Sequence, residues 1–267
     1  MTATALTIAG SDSGGGAGIQ ADLKTFSALG VYGASVITAL TAQNTRGVSG
    51  VLDVPPDFVT AQIDAVFSDI HIDAVKIGML SQPAVIRAVR AGLDAWRVAN
   101  VVLDPVMVAT SGDTLLVPEA VATLRDTLIP RATVITPNLA EAAVLTGRAA
   151  ATSREAMIEQ GRMLLDLGAQ AVLIKGGHGS GAAAEDVLVT AAETQWFSAP
   201  RHPTRNTHGT GCTLSSAIAA GLALGLDLVQ SIRAAKAYLT AAIRSADRMD
   251  IGHGHGPVDH FHAWWPA

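Results

Sequence analysis

The chain has 267 residues, of which 49% are hydrophobic and 15% charged, so it is long and apolar enough for one large globular domain. This composition excludes an intrinsically disordered chain, because disorder requires few apolar residues and a high net charge. The formal net charge of −5 gives no bulk attraction to nucleic acids or anionic membranes, and we expect neither as a partner.

Short apolar runs alternate with helical patterns along most of the chain. The runs lack polar alternation, which is typical of strands buried on both faces of a parallel sheet. The predicted strands are residues 5–9, 34–40, 74–77, 101–103, 133–135 and 171–174. The predicted helices between them are residues 19–29, 57–67, 83–96, 118–128 and 154–167. This alternation predicts βαβ units and an α/β fold with a mainly parallel sheet covered by helices.

A different pattern follows the sixth run. Residues 187–190 and 194–197 predict a hairpin or edge strands, for which an antiparallel arrangement is an option. Two long helices are then predicted at residues 211–224 and 228–249. Because the sequence contains no linker-like, low-complexity or repeated segment, we expect residues 1–267 to form a single domain.

The single cysteine, Cys212, excludes an internal disulfide and is typical of a reducing compartment. The first residues lack the basic start and long apolar core of a signal peptide. No apolar run approaches the ~20 residues that a membrane-spanning helix needs. We therefore expect a cytoplasmic protein.

Glycines and polar residues follow each predicted strand. In an open parallel sheet, ligands bind at the carboxyl ends of the strands, so these residues should converge on one edge and form an active site. For any single segment, an ordinary polar loop is the alternative explanation. The segments are residues 10–18, 43–44, 78–79, 104–106, 136–138 and 175–178.

The segment from Asn206 to Thr213 reads NTHGTGCT and leads directly into a predicted apolar helix. Glycines let successive N–H groups converge on one point, and a helix N-terminus adds a positive field, so the segment predicts a phosphate site. Cys212 lies in the first turn, where a thiol pKa is usually lowered. A glycine-rich helix start beside an inert cysteine explains the local pattern equally well. The sequence contains neither a P-loop motif nor a strict GxGxxG dinucleotide motif.

Residues 209–212, GTGC, resemble the signature of the ribokinase-like family, whose members usually have aspartate in place of this cysteine. Cysteine at this position is similar to one branch, the hydroxymethylpyrimidine/phosphomethylpyrimidine kinases of thiamine biosynthesis. The order and spacing of further segments agree with that branch, and the resemblance covers nearly the whole chain. These segments are residues 8–13, 17–26, 41–44, 76–79, 104–107, 136–141 and 175–178.

The resemblance implies a ribokinase-like three-layer α/β/α sandwich with a mainly parallel central sheet. It implies phosphorylation of 4-amino-5-hydroxymethyl-2-methylpyrimidine by ATP to the monophosphate and then to the diphosphate, and a homodimer. Two alternatives stay open. One is a pyridoxal kinase of the same branch, since pyridoxal is also a flat heteroaromatic with a hydroxymethyl group. The other is a non-catalytic pyrimidine or nucleotide sensor, although the residues expected for catalysis are all present.

The resemblance also implies roles at the transferred phosphoryl group. Cys212 would lie beside the substrate hydroxymethyl group as a base or a positioning group. Lys175 would contact the ATP phosphates as a point charge, although a surface lysine without a role is the alternative. The backbone of Gly209, Thr210 and Gly211 would form the anion hole. Asn138 and Thr207 complete the residues expected to bind the nucleotide.

Asp104 and Glu141 are implied as magnesium ligands. Magnesium prefers oxygen ligands and usually takes one or two carboxylates together with substrate phosphates. Asn138 and Glu141 match an N-x-x-E element of the family, and their spacing places both side chains on one helix face. The alternative explanation is ordinary helix capping by Asn138, with a favourable acid in the first turn.

Five residues are implied to bind the pyrimidine. An amide offers a donor and an acceptor side by side, which suits Gln43 to a ring nitrogen and an exocyclic amine. Asp22 is the other expected polar contact, and an exposed helix acid is its alternative. Met79 and Val106 would pack on the flat ring, with core packing as the alternative for Met79. Gly10 would allow close approach of the backbone.

The segment from Gly252 to His262 contains four histidines and resembles a metal site at first sight. Its glycines and the lack of a supporting cysteine or second carboxylate favour a structural tail instead. A similar tail occurs in the kinase branch, where it is not the catalytic metal site.

Overall fold

The structure is a computed structural model that describes residues 2–107, 117–177 and 183–265. Its strands in chain order are β1 (Thr4–Ala9), β2 (Tyr32–Ile37), β3 (Ala39–Asn44), β4 (Gly47–Asp53), β5 (Ala74–Ile77), β6 (Val101–Leu103), β7 (Val134–Ile135), β8 (Ala171–Lys175), β9 (Ala183–Thr190) and β10 (Thr194–Pro200). One sheet has the order β10-β9-β8-β7-β6-β5-β1-β2. Neighbouring strands from β8 to β2 in this order are parallel. Strand β9 pairs antiparallel with β8 on one side and with β10 on the other. The predicted mainly parallel sheet and its antiparallel edge are confirmed.

Helices cover both faces of this sheet. They are α1 (Gly18–Ala28), α2 (Pro56–Phe67), α3 (Pro83–Ala95), α4 (Pro118–Thr127), α5 (Leu139–Thr146), α6 (Arg154–Leu165), α7 (Thr210–Ala223) and α8 (Leu228–Arg244), with 3₁₀ turns at Ile129–Arg131 and Ala246–Arg248. Buried residues of α2 to α6 form one apolar cluster, and those of α1, α7 and α8 form a second. The molecule therefore has three layers. Within the described ranges, no helix is both long and apolar enough to cross a lipid bilayer.

The predicted strand at residues 34–40 is wrong in one respect, because the structure divides it between β2 and β3. Thr38 lies at the break, where its buried hydroxyl donates to the Met79 carbonyl at 2.9 Å. From there β3 pairs with β4 in a separate antiparallel hairpin. Leu40 and Leu52 of this hairpin are exposed. The apolar run thus continues beyond the buried sheet, which is why its composition does not reveal the break.

The C-terminal segment, residues 251–262, packs against two loops. His255 N donates to the Thr45 carbonyl at 2.8 Å, which ties the segment to the β3–β4 turn. The Gly256 carbonyl accepts from His208 N at 3.0 Å, which ties it to the loop before α7. Among the described residues, which include this whole segment, no group of three or more His, Cys, Asp or Glu side chains could hold a metal ion. These contacts favour the structural explanation of the tail.

Candidate active site

Helix α7 packs against β1, β5 and β6, and it begins after Gly209. Gly209 has a φ of +81°, a left-handed conformation that favours glycine. A Cβ there would also overlap the Gly16 carbonyl oxygen, so the loop before α7 lies directly against the β1–α1 loop. The first N–H groups of a helix have no carbonyl partner within the helix, and they create a site for an anion. The loop before α7, called the anion loop below, therefore presents N–H groups at a helix start, as the prediction of a phosphate site requires.

Lys175 and Asp104 meet beside this anion loop. Lys175 ends β8 and Asp104 follows β6, and their Nζ and Oδ1 atoms are 2.8 Å apart. A Cβ built on Gly211 would lie 3.3 Å from Lys175 Nζ and 3.6 Å from Asp104 Oδ2. The structure thus brings together the residues predicted for phosphate and metal binding at the start of α7.

Asp104 and Lys175 are both charged at neutral pH. Burial alone would raise the pKa of Asp104, but the ammonium groups of Lys175 and Lys76 lower it below its usual value. Burial alone would lower the pKa of Lys175, but Asp104 raises it. The Thr136 hydroxyl also donates to the Asp104 carboxylate at 3.1 Å, and Ser215 Oγ lies 3.3 Å from it. The charged form of Asp104 is therefore well supported by its neighbours.

Glu141 and Asn138 form a complete capping box at the start of α5. The Asn138 Oδ1 atom accepts from Glu141 N at 2.9 Å, while Asn138 N donates to Glu141 Oε2 at 2.7 Å. Burial raises the pKa of Glu141 to about 7, with Lys175 opposing the rise and Asp104 adding to it. The capping alternative is thus observed. Asp104 is also close enough to Glu141 to affect the ionisation of Glu141.

Cys212 is half-buried in the first turn of α7. Burial raises its thiol pKa to about 11, with help from Asp22 and Asp104, although Lys76 and the Gly18 N–H group oppose this. The expected lowering of this pKa by the helix N-terminus is therefore wrong. Desolvation and two nearby carboxylates outweigh the field of the helix, and Cys212 is a neutral thiol at pH 7.

Asp22 lies in a fully buried polar cluster on the inner face of α1. Lys76 Nζ donates to its two carboxylate oxygens at 2.9 and 2.8 Å. The hydroxyls of Thr7 and Ser216 each donate to it at 2.6 Å. The structure does not support the predicted contact between Asp22 and a substrate ring, because the side chain has no exposed surface. The cluster instead connects α1 to β1, β5 and α7.

The other residues predicted to bind the ring come from four different strand ends. Gly10 follows β1, and a Cβ there would lie 2.6 Å from Met79 Cε, so glycine leaves room for the methionine. Met79 belongs to the apolar cluster against which Val106 packs. Gln43 lies in β3 at a shift in the β3–β4 register and is half-buried.

The remaining residues predicted to bind the nucleotide flank the same edge. Asn138 pairs with Lys175 in an isolated parallel β-bridge, which places the two residues side by side. Thr207 precedes the anion loop, and its carbonyl accepts from Thr210 N at 3.3 Å. His178, the last residue of the predicted segment 175–178, lies outside the described residues.

Two residues without a predicted role, Asp12 and His208, lie at the same edge. The buried Asp12 carboxylate accepts from Gly14 N and Ala17 N, each at 2.8 Å, and lies 2.8 Å from His208 Nε2. Burial would raise its pKa, but His208 and these N–H groups lower it. An Asp that precedes glycines is typical of an Asx turn, which could have indicated its loop contacts. No comparable signal connects it to His208, 196 positions away.

The chain is similar to known proteins in sequence and in architecture. The family model described as phosphomethylpyrimidine kinase matches residues 12–259. The chain is 61% identical over 265 residues to the hydroxymethylpyrimidine/phosphomethylpyrimidine kinase of Rhizobium meliloti, with 99% of each chain covered.

Two solved structures extend the comparison. An ADP complex of Bacillus subtilis pyridoxal kinase matches with a TM-score of 0.91 and 39% identity, covering 98% of this chain and 99% of that one. The phosphomethylpyrimidine kinase of Clostridium difficile matches with a TM-score of 0.81 and 48% identity, covering 90% and 99%. The expected ribokinase-like fold is confirmed by these matches. On sequence and fold together, the chain belongs to the phosphomethylpyrimidine kinase family.

Proposed function

We propose that this chain uses ATP to phosphorylate 4-amino-5-hydroxymethyl-2-methylpyrimidine, and then its monophosphate, in thiamine biosynthesis. One observation carries the proposal: the Lys175–Asp104 pair lies against Gly211 at the start of α7. A migrating phosphoryl group is stabilised by N–H donors and fixed positive charge, and both are present there. The test is ADP release with magnesium and ATP, using the pyrimidine, its monophosphate and pyridoxal as acceptors.

The same geometry supports the proposed catalytic roles. The backbone of Gly209, Thr210 and Gly211 holds the migrating phosphoryl group, and Lys175 supplies a positive charge beside it. As a neutral thiol in that turn, Cys212 positions the acceptor hydroxymethyl group rather than removing its proton. Phosphoryl transfer requires little early proton abstraction, so a positioning role is sufficient. Asn138 and Thr207, on either side of this site, contact the nucleotide.

Asp104 and Glu141 suit magnesium. Glu141 is held partly protonated near neutral pH by burial, and a cation between it and Asp104 would favour its ionised form. Bound magnesium would neutralise charge on the ATP phosphates. The chain contributes the two carboxylates, and Lys175 and the Asn138 cap hold them in place.

The pyrimidine ring binds at the ends of β1, β3, β5 and β6. Met79 and Val106 supply apolar contacts from one cluster, and Gly10 lets the backbone approach closely. Gln43 forms hydrogen bonds with the ring nitrogen and the exocyclic amine. Asp22 does not contact the ring and instead stabilises the site through its buried ion pair with Lys76.

Pyridoxal is the second candidate acceptor, because the structure with a TM-score of 0.91 is a pyridoxal kinase. The higher identity, 61%, belongs to a pyrimidine kinase, and this favours the pyrimidine. Turnover of both pyrimidines with little turnover of pyridoxal would support the proposal. Preference for pyridoxal would overturn it, and binding without turnover would indicate a sensor.

We also infer a homodimer that forms through the β3–β4 hairpin, with residues 1–267 as one domain in the cytoplasm. The hairpin exposes Leu40, Val51 and Leu52, the last with 67% of its surface accessible. Exposed apolar surface of this kind is typical of an interface. Light scattering of the wild type and of a Leu52→Asp variant tests this. We expect a dimer for the wild type and a monomer for the variant.

A further inference from the structure

The side-chain amide of Gln43 has two polar neighbours, one at each end. The structure places Oε1 3.2 Å from Thr41 Oγ1 and Nε2 3.3 Å from His208 Nε2. The oxygen and nitrogen ends of an amide have nearly the same shape, so its hydrogen-bond partners decide which end is which. Counting the available hydrogens on both neighbours therefore determines how Gln43 points.

Thr41 has a single hydroxyl hydrogen. Its Oγ1 lies 2.9 Å from the Ser11 carbonyl oxygen, which can only accept, so the hydrogen is donated there. Toward Gln43 the Thr41 oxygen can then only accept a hydrogen bond. The end of the amide that faces Thr41 must therefore be the NH2 group.

His208 leads to the same answer from the other end. Its Nε2 atom lies 2.8 Å from Asp12 Oδ2, and an ionised carboxylate can only accept, so Nε2 carries a hydrogen. A protonated Nε2 has no lone pair with which to accept from an amide N–H. The end of Gln43 that faces His208 must therefore be the oxygen. The two independent counts require the same orientation.

We propose that Thr41 and His208 are positioning residues that hold the Gln43 amide with its NH2 group toward Thr41 and its oxygen toward His208. Through Gln43 they set the order in which a donor and an acceptor face the substrate ring, a role that rests on the proposed function of Gln43. An aminopyrimidine pairs its ring nitrogen with the remaining N–H and its amine with the oxygen. Pyridoxal carries an aldehyde, which accepts, in place of the amine and a hydroxyl, which donates, in place of that ring nitrogen, so it reverses this order and binds less well.

The orientation can be tested in the free protein by NMR, without substrate or turnover. The ¹⁵N shifts of the His208 ring are expected to show a protonated Nε2. The Gln43 amide protons, assigned by their loss in Gln43→Ala, are expected to show stronger nuclear Overhauser effects to Thr41 than to the His208 ring. An unprotonated Nε2, or the opposite pattern, would overturn the proposal. Because no substrate is present, this result is independent of whether the proposed function is correct.

The effect on the ring is tested by a double-mutant cycle between His208→Phe and Gln43→Ala. Each change is expected to raise the pyrimidine KM about tenfold, with a smaller effect on kcat and on the KM for ATP, and the double variant to be no worse than Gln43→Ala. Thr41→Val should also raise the pyrimidine KM, whereas Thr41→Ser, which keeps the hydroxyl, should retain the wild-type KM. These two variants keep the test valid if His208→Phe fails to fold. If the two KM increases multiply in the double variant, these residues do not act through Gln43. Equal increases in KM for the pyrimidine and for pyridoxal would lead to the same conclusion. A wild type that does not phosphorylate pyrimidines would refute the proposed function instead.

Discussion

Lys175 Nζ lies 2.8 Å from Asp104 Oδ1, although their strands, β8 and β6, are separated by β7. The lysine side chain therefore crosses the end of the intervening strand to reach the carboxylate. Each charge offsets the cost of burying the other, and together they lie at the start of α7. The ion pair thus holds both charged groups beside the anion loop.

Removing only the lysine should destabilise the fold as well as stop turnover. Lys175→Met leaves the buried Asp104 without its nearest cation, and we expect a loss of roughly 3 kcal/mol in the free energy of unfolding. The double variant Lys175→Met/Asp104→Asn removes both charges and should recover much of that loss while staying inactive. Urea unfolding and ADP release measure the two effects. Additive losses of stability in the double variant would show that the pair is not coupled.

The sheet and its helices were predictable because parallel strands are buried on both faces and therefore form uninterrupted apolar runs. The positions of Lys175 and Asp104 at one edge of the sheet were predictable for a related reason, since strand order in such a fold brings the carboxyl ends together. The β3–β4 hairpin was not predicted, because Leu40 is apolar yet exposed, and its run gives no sign of leaving the sheet.

Sequence patterns do not reveal an outcome that depends on the balance between distant groups. The thiol pKa of Cys212 is set by burial and by Asp22, Asp104 and Lys76, which come from three other elements. A local rule about helix N-termini cannot include those contributions. The burial of Asp22 is likewise decided by the packing of α1 against α7, which its own segment does not reveal.

Asp22 and Gln43 should respond differently to substitution. Asp22→Asn leaves the buried Lys76 without its hydrogen-bonded anionic partner, so we expect a loss of roughly 3 kcal/mol in stability. Gln43→Leu, in a half-buried position, should raise the pyrimidine KM about tenfold with little change in melting temperature. Thermal unfolding and steady-state kinetics of both variants distinguish the roles. A raised KM without destabilisation in Asp22→Asn would restore Asp22 as a ring contact.

Glu141 should make the stability of the metal-free protein depend on pH. Its pKa is raised from 4.5 in the unfolded reference to about 7 in the fold, so between these values the folded protein binds more protons. The free energy of unfolding should therefore fall as the pH rises through this window and level off above it.

The matched control is Glu141→Gln, because glutamine can keep the capping box but cannot titrate. Between about pH 5 and about pH 8, the wild type should lose roughly 1–3 kcal/mol more stability than this variant. Urea unfolding without magnesium or ATP measures the difference. Parallel pH profiles for the two proteins would contradict the raised pKa.

Cys212 should be a slow nucleophile. With a thiol pKa of about 11, very little thiolate exists at pH 8, and alkylation by iodoacetamide should be roughly 100-fold slower than for a free cysteine. The rate should keep increasing up to and beyond about pH 10. Mass spectrometry follows the modification, and Cys212→Ser is the blank. Rapid alkylation near neutral pH would indicate a thiolate and would return Cys212 to consideration as a base.

Gly209 and Gly225 form a matched pair for testing the anion loop, because both have a φ of +81°. Alanine at either position is strained by about 1–2 kcal/mol in this left-handed conformation. A Cβ on Gly225 meets no atom within 4 Å, whereas a Cβ on Gly209 would overlap the Gly16 carbonyl oxygen. We therefore expect Gly225→Ala to be mildly destabilised with normal turnover, and Gly209→Ala to lose stability beyond the strain and turnover by at least about 100-fold. Similar turnover in the two variants would show that the close contact between the anion loop and the β1–α1 loop is not needed for phosphoryl transfer.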